Sequence, residues 1–562
     1  MLKSIFNIIP KSYRRRGLWV VATIFVRAIL NFVGVAMFVP ILMLTLKPQS
    51  SAHMFDRISE VLGLDNHLEV TAVVCAIVLA VVITKNLIVM FLHRYERSFI
   101  FSFYKDVSQK LFLSYYERGL SYVKQHNSSH IARNINTTGL LFATGVLRPI
   151  AAIMGEALLL ILVLIALAVY APVAALLTLV IFLPIASIFY FAIRRRLHNI
   201  GVDENETQRH KSRIVSETFR GYADIEIGGA KHLMLSMFSN DVSKIADLRE
   251  RHATLSQLPQ ILIEIGVVVG MILIIVCGID RGEDMALMFG VFAIAAIRLI
   301  PSVRNILTQW SLIKYNRYTL DILLDANVGE DIISEESSSE RIGLQNRVEF
   351  KDVSFQFDDA EHPTIDHLSL TISRGEHVGI CGASGVGKTT LFNLILGLYR
   401  PTSGKIVIDG EELTQHNIRK WQNSVGYVSQ NVFIADSTLA ENIALGVPKD
   451  RIDYGLVNKV IELSNLREFV DSLKDGLETR IGEQGSRLSG GQRQRIGIAR
   501  ALYKRCDILL FDEATSSLDN AAEESINEAL AMLRSDNRDL TIVMIAHRQT
   551  TLDNCNRIIK LE

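Results

Sequence analysis

The chain holds 562 residues; 59 Lys and Arg balance 59 Asp and Glu, and 49% of its residues are hydrophobic against 21% charged. A formal net charge of zero argues against a nucleic-acid partner, which selects a basic excess. The composition excludes a disordered, collagenous or disulfide-built chain, and the positive mean hydropathy points to a membrane.

In chain order, five stretches are nearly free of charge. Residues 17–46 hold only Arg27, 70–92 only Lys85, 149–193 only Glu156, 258–279 only Glu264 and 285–303 only Arg298. A membrane span needs about 20 apolar residues. The third stretch is long enough for two spans, with a turn at Tyr170, Ala171 and Pro172. The expectation is therefore six spans, the first of them too long for a cleaved signal peptide.

Lys3, Lys11, Arg14, Arg15 and Arg16 precede the first span. Arg94, Arg97, Lys105 and Lys110 follow the second, and Arg194, Arg195 and Arg196 follow the fourth. The opposite loops hold only Lys47, Arg57 and Arg281. This bias predicts that the N-terminus, both long loops and everything after the sixth span are cytoplasmic.

Loops 93–148 and 194–257 are too long to lack structure. They are expected to continue the spans as helices, each pair joined by a short crosswise helix near 122–130 and 217–227. On the outer side, Met54, Phe55, Ile58, Val61 and Leu62 follow a helical stripe within 51–64. Either a lipid contact or a helix packed on the spans accounts for it. None of the five cysteines forms a CxxC pair, so neither zinc nor disulfides are suggested.

Residues 331–340 (DIISEESSSE) are acidic and serine-rich and read as a linker. The chain is thus divided into a six-helix transmembrane domain (1–327), a linker (328–345) and an α/β domain (346–562). In the last, residues 382–389 (GASGVGKT) match G-x-x-x-x-G-K-[ST]. Residues 377–381 read as the strand before the loop and 390–397 as the helix after it. Gly382, Ser384, Gly385, Gly387, Lys388, Thr389 and Thr390 are the phosphate-binding candidates. Backbone N–H groups wrap the phosphates, Lys388 reaches the β- and γ-phosphates of ATP, and Thr389 is a Mg²⁺ ligand. Residues 508–511 (ILLF) then read as a strand ending on Asp512 and Glu513. Asp512 is the second Mg²⁺ candidate, and Glu513 is the candidate base that polarises the attacking water.

Residues 488–492 (LSGGQ) resemble the signature motif of the ATP-binding cassette (ABC) superfamily, and residues 350–562 resemble its nucleotide-binding domain. The resemblance implies that Phe357 stacks on adenine and that Gln430 senses Mg²⁺ and acts in catalysis. It implies that residues 479–485 (TRIGEQG) form an exporter-specific segment and that 516–519, ending on Asp519, form a loop between two sites. His547 is implied to contact the γ-phosphate. Ser489, Gly490, Gly491 and Gln492 are implied to complete the site of an opposing domain, so that the chain acts as a half-transporter in a homodimer. Family members usually continue past this point with a hairpin and a helix; the last residue, Glu562, leaves a truncated chain or a reduced subdomain as readings.

The fused arrangement resembles the exporter class. Residues 298–305 and the external segment resemble bacterial flippases of lipid-linked oligosaccharides. The resemblance implies ATP-driven transfer of a polyprenyl-pyrophosphate glycan across the inner membrane, with a general lipid or multidrug exporter as the alternative. Intramembrane cations are costly and usually functional. Arg298, Lys85 and Arg27 are therefore candidates for a cavity that takes an anionic head group, unless Glu156 and Glu264 pair with them.

Overall fold

The computed structural model describes residues 5, 8–37, 67–170, 172–278, 284–328, 340–358, 360–482, 488–512, 539–546, 552 and 555–561. The chain forms two compact units, Met1–Ile333 and Ser334–Glu562. The external segment 51–64 lies outside the described residues.

Among the described residues, the first unit is built on six long helices: α1 (Lys11–Ala36), α2 (His67–Glu117), α3 (Arg148–Tyr170), α4 (Pro172–Arg220), α5 (Lys231–Gly278) and α6 (Asp284–Tyr315). Among the described residues, four helical runs are long and apolar enough to cross a membrane: Tyr13–Gly34, Ala72–Glu117, Ser128–Val169 and Lys231–Gly270. The expected count of six also includes the apolar stretches carried by α4 and α6. Exposed Leu18, Ile83, Val169, Leu183 and Ile265 would be misplaced on a water-soluble surface and suit a lipid one.

Helices α2, α4 and α5 have 51, 49 and 48 residues. At 1.5 Å per residue each is roughly 70 Å long, more than twice the ~30 Å hydrocarbon layer. The excess is the expected extension beyond the membrane. The joints also fall where the sequence places them. Helix Gly119–Gln125 stops at His126, and Ser128–Arg133 restarts with Asn127 as its cap, the side chain accepting from Ser129 N. Helix Tyr222–Ile227 lies between Gly221 and the Gly228–Gly229 pair, where Gly229 has φ +65°.

Polar bonds tie these helices together. Buried Glu204 of α4 accepts from Arg249 Nε of α5 at 2.9 Å and from the Tyr315 hydroxyl of α6. Gly201, one turn before Glu204, lies so close to the Tyr315 carbonyl that any Cβ would collide with it. Glu156 of α3 accepts from Ser302 Oγ at 2.7 Å and Asn305 Nδ2 at 3.3 Å on α6.

The second unit carries two sheets. β1 (Arg347–Phe355), β2 (Ile365–Ser373), β4 (Ser403–Ile408) and β5 (Glu411–Glu412) pair antiparallel in the order β2-β1-β4-β5. β3 (His377–Gly382), β6 (Val425–Val428), β7 (Ile508–Asp512), β8 (Thr541–Ile545) and β9 (Arg557–Leu561) form a parallel sheet in the order β6-β7-β8-β3-β9. β7 and β8 are buried along their whole length, which accounts for their apolar runs 508–511 and 542–545. Cys506 joins this core, and burial pushes its thiol up to about 12, so it is packing material rather than a redox group.

Residues at both described ends of the 328–345 segment are attached. Val328 is buried with Leu323 in the first unit. In the second, Arg341 donates to the carbonyls of Lys504 and Arg505, Leu344 N donates to Asp507 Oδ2, and the Leu344 side chain is buried. Residues 340–345 therefore fold onto the α/β unit.

Candidate functional site

β3 runs into the loop 383–387, and helix α7 (Lys388–Ile395) leaves it. The turn into α7 needs Gly387: its φ is +100°, and a Cβ there would meet the Thr364 carbonyl at 2.9 Å. Gly385 also has positive φ, at +85°. Both turns lead into the N-terminus of α7, where an anion is favoured. Lys388 is buried, and its Nζ donates to the carbonyls of Gly382 at 3.1 Å and Ala383 at 2.9 Å. The ammonium is already folded over the loop. Ser384 and Thr389 are exposed, and Thr390 is buried in the first turn of α7.

β8 separates β3 from β7, and this order brings the end of β7 to the loop. Asp512 is 4% exposed, and its Oδ1 accepts from Thr389 Oγ1 at 3.3 Å. A hydroxyl and a buried carboxylate at this spacing fit a shared hard cation, which takes oxygen ligands. The Mg²⁺ expected from the sequence is therefore matched by its donor set.

Phe357 sits in an aromatic group, edge-on to Phe355 (centroids 4.9 Å apart) and to Tyr399 (5.5 Å). Thr364 N donates to the Phe355 carbonyl, and Thr364 touches Gly387, so this group adjoins the phosphate loop. That location fits a flat base next to bound phosphates.

The signature residues open helix α8 (Gly490–Tyr503). Ser489 Oγ accepts from Gln492 N at 3.2 Å, and Gln492 Oε1 accepts from Ser489 N at 2.9 Å, forming a capping box. Ser489 and Gly490 are exposed, and Gly491 is buried. No side-chain hydrogen bond joins this segment to the phosphate loop among the described residues. Gln430 is exposed just past β6. Glu513, Asp519 and His547 lie outside the described residues, as do 483–487 of the segment before the signature.

Two further residues escape a motif reading. Arg500 of α8 donates from Nε to the Asn442 carbonyl and from Nη2 to the Phe433 carbonyl, both at 2.9 Å, and so holds the chain that follows Gln430. Tyr427 of β6 donates to Asp512 Oδ2 at 3.2 Å. Burial, and then the Asp512 charge, push the phenol well above its ordinary value, so it stays a donor at neutral pH. Neither signal is local in sequence: both depend on strand register and on backbone acceptors.

Two of the three intramembrane cations have described partners on α1 or α2. Arg27 is buried, donates to Glu96 Oε2 at 2.5 Å and lies 2.9 Å from His93 Nδ1. Its charge is answered between α1 and α2. Lys85 Nζ lies 3.4 Å from Asn31 Oδ1, again on the α1 side. Among the described bonds, Glu156 accepts from Ser302 and Asn305, and Glu264 from Gln260. Arg298 lies on α6; its side chain is outside the described residues.

Residues 365–516 match the family model described as ABC transporter, a segment that includes the phosphate loop, the signature and Asp512. The segment is an ABC transporter domain. The chain as a whole resembles a bacterial Atm1-family ABC exporter solved with ATP bound: TM-score 0.77, 98% of this chain and 94% of that one covered, at 19% identity. The fold is therefore that of an ABC exporter, a helical membrane domain followed by a P-loop domain. Among curated proteins, an ATP-dependent lipid A-core flippase of Francisella tularensis subsp. holarctica (strain OSU18) is 31% identical over 389 residues, covering 67% of this chain and 62% of the relative. One of the same name from Ralstonia nicotianae is 30% identical over 385 residues, covering 68% of this chain and 64% of the relative. The matches span less than two thirds of these relatives' length.

Proposed function

We propose that this ABC exporter hydrolyses ATP to flip a lipid-linked oligosaccharide, carried on polyprenyl pyrophosphate, across the bacterial inner membrane. The ATP-driven part rests on one observation: Thr389 meets buried Asp512 beside a loop over which Lys388 is already folded. In this reading Lys388 turns from its loop carbonyls to the β- and γ-phosphates. Thr389 and Asp512 hold Mg²⁺, which offsets phosphate charge when bound. Phe357 takes the adenine, Glu513 holds the attacking water, and Gln430 and His547 report on the γ-phosphate. The exposed Ser489 and Gly490, opening α8, face a second copy of the chain, whose phosphate they contact; Asp519 lies between the two sites. The cassettes are cytoplasmic, on the side where the basic residues collect.

The lipid part draws support from the relatives, which are named as lipid A-core flippases. With Arg27 paired and Lys85 beside Asn31, the pyrophosphate reading rests chiefly on Arg298. Pairing of Arg27 with Glu96 favours a second reading, a general lipid or multidrug exporter with a less charged cavity. Reconstitution in liposomes separates them. ATP-dependent flipping of a polyprenyl-pyrophosphate glycan should exceed that of a phospholipid or a hydrophobic dye. Arg298→Ala should lower glycan transport more than basal ATPase activity, and equal transport by the variant removes the cationic cavity.

A further inference from the structure

We propose that Tyr427 is a positioning residue that sets the metal-binding carboxylate of Asp512. The inference rests on the reading of Asp512 and Thr389 as the Mg²⁺ pair.

Asp512 ends β7, and a carboxylate at a strand end can turn about its side-chain bonds unless something holds it. Two hydroxyls do so from opposite oxygens: Thr389 Oγ1 at 3.3 Å from Oδ1, and the Tyr427 hydroxyl at 3.2 Å from Oδ2. Tyr427 reaches it through sheet register. It pairs with Leu510 on the adjacent strand, and Asp512 is two residues further along the same face. Two residues of strand span roughly 6.6 Å. A phenol is long enough to cover that distance; serine and threonine are too short, and leucine, valine or phenylalanine offers no donor.

The bond occupies Oδ2 and keeps Oδ1 on the Thr389 side, where a cation shared with the phosphate loop would bind. Tyr427 also precedes Gln430 by three positions on the same strand exit. Its hydroxyl therefore ties Asp512 to the segment that Arg500 fixes from α8. Strand β6, the metal carboxylate and the Gln430 segment become one mechanical piece.

The test uses the full-length protein in detergent, saturated with the non-hydrolysable AMP-PNP, with Mn²⁺ as the probe read by electron paramagnetic resonance. Tyr427→Phe keeps the ring and removes only the donor. Its Mn²⁺ affinity should fall on the order of 10-fold, the range of one hydrogen bond to an ionised group. Binding of a fluorescent ATP analogue in EDTA should be unchanged. Unchanged Mn²⁺ affinity overturns the inference. So does a variant that fails to fold or loses metal-free nucleotide binding in parallel, because the hydroxyl then serves the sheet rather than the metal. Asp512→Asn is measured alongside. If it too leaves Mn²⁺ affinity unchanged, the assignment of Asp512 itself fails; if it weakens Mn²⁺ and Tyr427→Phe does not, only the positioning role falls.

Discussion

In the membrane unit, buried charges are answered by protein groups on neighbouring helices. Arg27 meets Glu96, and Glu204 meets Arg249 and Tyr315. In the cassette, buried Lys388 is held by two carbonyls of its own loop, and Asp512 receives two hydroxyls. The difference is functional. A charge matched by an opposite charge fixes one helix against another and has little left for a ligand. A charge held by neutral dipoles stays available to a ligand of opposite sign. Among the described residues, the buried Arg27–Glu96 pair serves shape, while Lys388, met by two neutral carbonyls, stays available to phosphate.

The strongest way to break that contrast is at Lys388. Lys388→Ala removes an ammonium whose described bonds go only to loop carbonyls, so the fold should survive while turnover falls by roughly 10²-fold or more. ATP binding and steady-state hydrolysis, measured with a melting curve, test it. A large drop in melting temperature would place Lys388 among the shape-holding charges instead. Glu513→Gln belongs beside it. It should keep ATP binding and abolish turnover, and retained steady-state hydrolysis would remove Glu513 as the base.

Where the sequence was sufficient and where it was not follows the same line. The phosphate loop, the signature and Asp512 are legible because their chemistry needs fixed residue types a few positions apart. The helix joints are legible because loops of that length need structure; the second coincides with Gly221, Gly228 and Gly229, and the first with His126 and Asn127. The partner of Arg27 was not. Glu96 lies past the apolar stretch that ends at Leu92, on the expected helical continuation of the span, and only the packing of α2 on α1 shows that it faces Arg27. Tyr427 was hidden for a related reason: its bond depends on which residue of β7 stands beside it, and register across a parallel sheet is set by the whole fold. Residues 340–345 look like polar linker, and only the acceptors on Lys504, Arg505 and Asp507 make them part of the cassette.

Arg27 tests the other half of the contrast. Arg27→Ala strands a buried carboxylate, which typically costs about 3–5 kcal/mol when a buried pair is broken. Thermal unfolding in detergent should show that loss, while cassette affinity for ATP stays the same. The double variant Arg27→Met, Glu96→Leu should recover most of it, because no unpaired charge remains. If Arg27→Ala is as stable as the parent and instead transports less, Arg27 serves a cavity after all, and the membrane unit too keeps a charge in reserve.

The smallest effect is at Ser489, where one hydroxyl has two candidate duties. It caps α8 through Gln492, and in the dimer it is proposed to contact the phosphate held by the other copy. Ser489→Ala loses both, with about 1 kcal/mol of helix stability attributable to the cap. Ser489→Asp separates them. Aspartate is as good a cap as serine, so the helix should keep its stability. Its negative charge, however, would face a phosphate, and like charges repel in a site from which water is excluded. Turnover should therefore fall further in Ser489→Asp than in Ser489→Ala, while thermal stability moves in the opposite order. If both properties fall and rise together, the serine is only a helix cap, and the charge-receptive surface of the cassette ends at its own phosphate loop.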